Sequence, residues 1–82
     1  MINKTLQYNV IFRSEPEGGF TAFVPSLPGC ITFGSDLSEA KKMITDAIKG
    51  YIFSLEKHKE IIPSDNENYV SLVSVSQDVI HA

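Results

Sequence analysis

Cysteine occurs once, at Cys30, so no internal disulfide can staple the fold and no cysteine cluster can hold zinc. Basic residues are few: seven Lys and Arg stand against ten Asp and Glu, a net charge of −3. They form no block, which argues against unaided nucleic-acid binding, since that needs several cations on one face. Histidine is limited to His58 and His81. His58 lies among lysines and His81 in the tail, and neither has a Ser, Cys or carboxylate at a spacing suited to nucleophilic catalysis. No apolar run approaches the ~20 residues of a membrane span, and Met1 to Thr5 carries one Lys without a signal-length apolar stretch. A soluble, cytoplasmic protein is expected, as is a single domain over residues 1–82. A chain of this length buries only roughly 60–65% of its unfolded surface, so homo-oligomerisation is an expected source of further stability.

What the sequence does have is concentrated between Gly18 and Gly34. Gly18-Gly19 reads as a turn, Phe20 to Val24 as a short strand, and Pro25-Ser26-Leu27-Pro28-Gly29 as a stiff corner. Each proline removes a backbone donor and fixes φ, and Pro-Gly suits the two central positions of a turn. Leu27 is expected to be presented on this constrained loop. Cys30 to Phe33 follows as another strand, with Cys30 as a small buried filler. Upstream, Leu6, Tyr8, Val10 and Phe12 alternate with Gln7, Asn9, Ile11 and Arg13, a period of two that predicts a strand forming a hairpin with Phe20 to Val24.

The period changes at Gly34-Ser35. Asp36-Leu37-Ser38-Glu39 has the form of a capping box, in which Glu39 reaches back to Asp36. Leu37, Ala40, Ile44, Ala47, Ile48, Tyr51 and Leu55 recur at three and four, which predicts one amphipathic helix from about Leu37 to Lys59. Gly50 weakens its interior, and close packing on the sheet is the expected reason. Ile61-Ile62-Pro63 ends the helix and Ser64 to Asn68 forms a polar loop. Tyr69, Ser71, Val73 and Val75 alternate with Val70, Leu72 and Ser74, predicting a last strand. The expected fold is α+β, a small β-β-β-α-β domain with one long helix on an antiparallel-rich sheet.

These residues carry a resemblance. Glu17-Gly18-Gly19-Phe20-Thr21-Ala22-Phe23-Val24-Pro25-Ser26-Leu27-Pro28-Gly29-Cys30 resembles the signature of the HicB-type antitoxins. Gly34 to Ala40 is similar to that family's helix start, Ile62-Pro63 to its helix exit, and Val70 to Ser76 to its closing strand. The resemblance covers nearly the whole chain. It implies a reduced RNase H-like domain and, as partner, a HicA-like toxin: a small, basic, RNA-cleaving protein. Many members carry a further DNA-binding segment. None follows here, so direct DNA binding is not expected of this chain alone.

An RNase H-like outline raises the question of nuclease chemistry. Two-metal phosphoryl transfer needs carboxylates converging on the ions, usually one from a central strand. The predicted first strand has none, Glu15 and Glu17 fall in a turn, and Asp36 is committed as a cap. No catalytic residue, metal ligand or cofactor site is therefore assigned. A binding module is expected, with a free-standing homo-oligomeric regulator and a degenerate nuclease as alternatives. One helix covers one face of a small sheet. If it covers Tyr8, Val10 and Phe12, then Ile11 and Phe23 lie on the open side. The candidate partner surface is accordingly Phe23 and Ile11, the corner residues Pro25, Leu27 and Pro28, and Met43 and Phe53 outside the helix stripe.

Overall fold

The computed structural model describes residues 5–80, and His81 of the expected tail lies outside them. Three strands, β1 (Ile11–Ser14), β2 (Phe20–Phe23) and β3 (Ile31–Gly34), form an antiparallel sheet in the order β1-β2-β3. The helix α1 (Leu37–Lys57) follows, and a single turn, α2 (Gln77–Ile80), closes the described chain. The α+β expectation holds, with the hairpin and the long helix where the two periodicities place them.

The register assigns every side chain in the sheet to a face. Phe12 pairs with Ala22 and Ala22 with Thr32, while Ser14 pairs with Phe20 and Phe20 with Gly34. This is the helix-covered face. Ala22, Val24, Leu27 and Cys30 are buried there with Ala40 and Ile44 of α1, and Tyr8, Val10, Phe12, Ile48, Tyr51 and Ile52 pack around them. Gly34 lies so close to the first turn of α1 that a Cβ there would overlap the Ala40 backbone. The sheet and the helix touch through a glycine and an alanine, which lets their backbones approach.

Both ends of α1 are closed by hydrogen bonds. Glu39 N–H donates to Asp36 Oδ1 at 2.7 Å. Glu39 Oε1 in turn accepts from the Ser35 N–H at 2.7 Å and the Ser35 hydroxyl at 3.0 Å, so the reciprocal half of the box falls one residue before the expected Asp36. At the C-terminus Glu60 N–H reaches Leu55 O at 2.9 Å and Lys59 N–H reaches Glu56 O at 3.1 Å. Lys59 is left-handed at φ 55°. This paired arrangement is a Schellman stop, and it ends the helix at Lys57, two residues before the expected Lys59.

Three other expectations are corrected. Gly50 is exposed, and a methyl group in place of its hydrogen would meet nothing within 4 Å, so close packing does not explain it. The first strand pairs only from Ile11, because β2 ends at Phe23 and Val24 turns into the corner, leaving residues 5–10 without a ladder partner among the described residues. The predicted last strand, residues 69–75, also has no strand partner among the described residues. It extends into solvent, with Tyr69 at 89% exposure and Leu72 at 100%. Alternation equips a segment to pair but supplies no neighbour.

Candidate functional site

The uncovered face of the sheet is built by the same register. Ile11 pairs with Phe23 and Phe23 with Ile31, giving one row of three apolar side chains across all three strands. The adjacent row is Arg13, Thr21 and Phe33. Ile31 and Phe33 are 62% and 55% exposed and Ile11 is at the edge of exposure, while Phe23 in the central strand is half-buried between its neighbours. An exposed apolar row with a polar border makes this face the candidate contact surface.

The border is ordered. Glu15 Oε2 accepts from the Thr21 hydroxyl and, at 3.1 Å, from Arg13 Nε. The Thr21 hydrogen bond first, and the Arg13 hydrogen bond next, hold the Glu15 carboxyl below its usual range. The Phe33 ring lies against Gly19, which has φ +82° and no space for a Cβ. The tight turn thus fixes the ring at the margin of the patch, and a fixed aromatic loses little freedom on binding.

The Pro25-to-Gly29 corner is rigid, as expected, but it points inward. Leu27 N–H donates to Val24 O and Cys30 N–H to Leu27 O, both at 3.0 Å, and Gly29 takes φ +84°. These turns drive the Leu27 side chain to 0% exposure in the core. Leu27 is therefore a plug and not a presented tip. Pro25 and Pro28 remain exposed, and Pro28 O accepts the Tyr51 hydroxyl at 2.8 Å, tying the corner to α1.

Asp65 holds the corner from the other side. Its Oδ1 accepts from the Ser26 hydroxyl at 2.6 Å and from Asn68 Nδ2 at 2.7 Å, and its Oδ2 accepts the Asn9 N–H at 2.6 Å. These hydrogen bonds, Ser26 first, pull the carboxyl from its ordinary 3.8 to about 2. Nearby, the Tyr8 hydroxyl donates to Pro63 O at 2.6 Å, and burial, then the Asp65 charge, raises its pKa. Cys30 is buried and free, and burial raises its thiol pKa, away from the reactive thiolate.

The seven expected contact residues do not form one surface. Ile11 and Phe23 share the open sheet face, Pro25 and Pro28 edge the corner, and Leu27 is internal. Met43 and Phe53 are exposed on α1, which packs on the opposite face of the sheet. Sequence reasoning left out Ile31 and Phe33. Their shared parity in β3 was visible, and the corner between β2 and β3 was the available signal that would align Ile31 with Phe23. Asp65 carried no signal, being one polar residue in a polar loop. Among the described residues no group of three His, Cys, Asp or Glu side chains is placed to hold a metal ion, and no helix is long and apolar enough to cross a membrane.

Comparison with known proteins places the chain in a family. The chain is 42% identical over 67 residues to a UPF0150 protein of Thermoplasma acidophilum, spanning 82% of this chain and 97% of that one. It is 39% identical over 59 residues to a UPF0150 protein of Synechocystis, spanning 72% and 75%, and 32% identical over 68 residues to one of Helicobacter pylori, spanning 83% and 93%. The family model described as HicB_like antitoxin of bacterial toxin-antitoxin system matches residues 8–79, from the approach to β1 through α1 to α2. By that match, the chain belongs to the HicB-like antitoxin family of bacterial toxin–antitoxin systems.

Proposed function

We propose that this chain neutralises a HicA-like toxin, a small basic RNA-cleaving protein, by binding it and covering its RNA site. The observation that carries the reading is the open apolar sheet face, where Ile11, Phe23, Ile31 and Phe33 lie side by side on three paired strands. Desolvated central apolar and aromatic anchors supply much of an interface's energy, and a sheet holds them without ordering cost. The net charge of −3 steers the chain towards a cationic partner. Neutralisation in this scheme needs affinity and bulk, and no bond is made or broken by the antitoxin. The chain acts in the cytoplasm as a homodimer, which adds buried surface to a small core.

The test is co-expression of the neighbouring basic reading frame with and without this chain, reading growth and co-purification. Rescue and co-purification are expected, and both are lost in Ile31→Asp and Phe33→Asp. Those side chains are already solvent-exposed, so the fold survives the change. A partner that is toxic alone but neither rescued nor retained contradicts the antitoxin reading. Rescue that persists in both variants keeps the function and removes this face from it.

A further inference from the structure

We infer that residues 69–75 form an exchanged arm, pairing as a fourth strand on the β1 edge of a second copy of this chain. The inference rests on the homodimer reading above and assigns its contact.

The segment Tyr69-Val70-Ser71-Leu72-Val73-Ser74-Val75 is apolar on both of its alternating faces. Yet Leu72, Tyr69 and Val73 are 100%, 89% and 82% exposed. A compact domain of this length has a radius of gyration of about 12 Å, whereas this chain measures 16.2 Å and extends 56 × 31 × 22 Å. An arm of this kind, held off its own body, is a segment shaped for a partner.

The root of the arm is fixed. Asn68 N–H donates to Asp65 O at 3.2 Å, and Asn9 Nδ2 donates to Asn68 O at 3.0 Å. The arm thus departs beside the approach to β1, one of the two edge strands of the sheet. That edge is also the less covered one, because α1 packs chiefly on β3 and β2. Val10 and Phe12 on this side of the sheet, and Ile48 and Ile52 of α1, are only half-buried. A strand laid there would bury one alternating set of the arm, Val70 and Leu72 or Tyr69, Val73 and Val75, against these side chains. The other set would continue the open-face row beyond Ile11.

A second copy is the occupant that closes. Since each root stands at its own β1 edge, a two-fold axis near the roots lets both arms cross together, each satisfying the other's edge. Such an exchange forms a closed isologous dimer at low cost. It also leaves the Ile11-to-Phe33 face free for a different partner.

Hydrogen exchange on the full chain across roughly 1–100 µM, alongside sedimentation equilibrium, tests this. The expected result is that amides of Val70 to Val75 and the outward amides of β1 gain protection in step with the dimer. Leu72→Asp should weaken that dimer by roughly tenfold or more. Because the Leu72 residue is fully exposed in its own chain, this variant stays folded. A dimer whose arm remains unprotected overturns the arm assignment and leaves the homodimer standing. Protection of the arm in the monomer means that it folds onto its own β1, and it also overturns the inference. A monomer throughout the range overturns both readings.

Discussion

Leu27 and Asp65 secure the same corner by opposite means, one by removing an apolar side chain from water and the other by accepting three hydrogen bonds. Leu27→Ala removes a fully buried side chain from a core with few large members, and should cost about 2–5 kcal/mol, read as a lower urea midpoint. Asp65 acts through pH. Its folded pKa is depressed from 3.8 to about 2, so its contribution is complete above about pH 4 and is lost as pH falls from there towards 2. Glu15, also depressed, adds in the same direction. The melting temperature should fall between pH 4 and 2 more steeply in the native chain than in Asp65→Asn, and equal slopes would remove Asp65 from the acid response. The rigidity of the corner was legible in Pro25, Pro28 and Gly29. Its inward aim was not, because turn chemistry fixes φ at a loop but not which side of the loop meets the core.

At the scale of elements, α1 carries a glycine where none is required and a lysine where glycine would fit. Gly50 has open space around it, so Gly50→Ala should raise stability by about 1 kcal/mol. Lys59 is left-handed at the helix stop, a conformation that costs an L side chain about 1–2 kcal/mol. Lys59→Gly should recover about 1 kcal/mol of that, and thermal unfolding of the single and double variants checks both, with near-additive gains expected because the sites lie about two and a half turns apart. The hairpin and the helix were readable because each is closed by local signals: the Gly18-Gly19 turn, the Asp36 cap and the three-four stripe. The last strand was half readable. Its alternation is real, but a strand is defined by a neighbour, and the neighbour of residues 69–75 is not set by any local pattern. Likewise Ile11 and Phe23 could be placed on the open face from parity alone, whereas Ile31 joins them only through the β2–β3 register.

The whole molecule divides its surfaces by use. One sheet face meets α1 and forms the core, the other presents an apolar row bordered by Glu15, Thr21 and Arg13, and the net charge is weakly acidic. For a cationic partner this combination makes the encounter salt-dependent and the final complex much less so. Raising ionic strength should slow association while leaving dissociation nearly unchanged, as stopped-flow binding would show. Occlusion further requires stoichiometry, since a partner covered by mass action is silenced one site at a time. The most direct measurement is therefore a titration, with this purified protein, of the RNA cleavage proposed for the cognate toxin. The account predicts that cleavage falls linearly to a sharp endpoint at a fixed molar ratio, and that Ile31→Asp and Phe33→Asp, though folded, abolish the inhibition. Undiminished cleavage at saturating excess would contradict it.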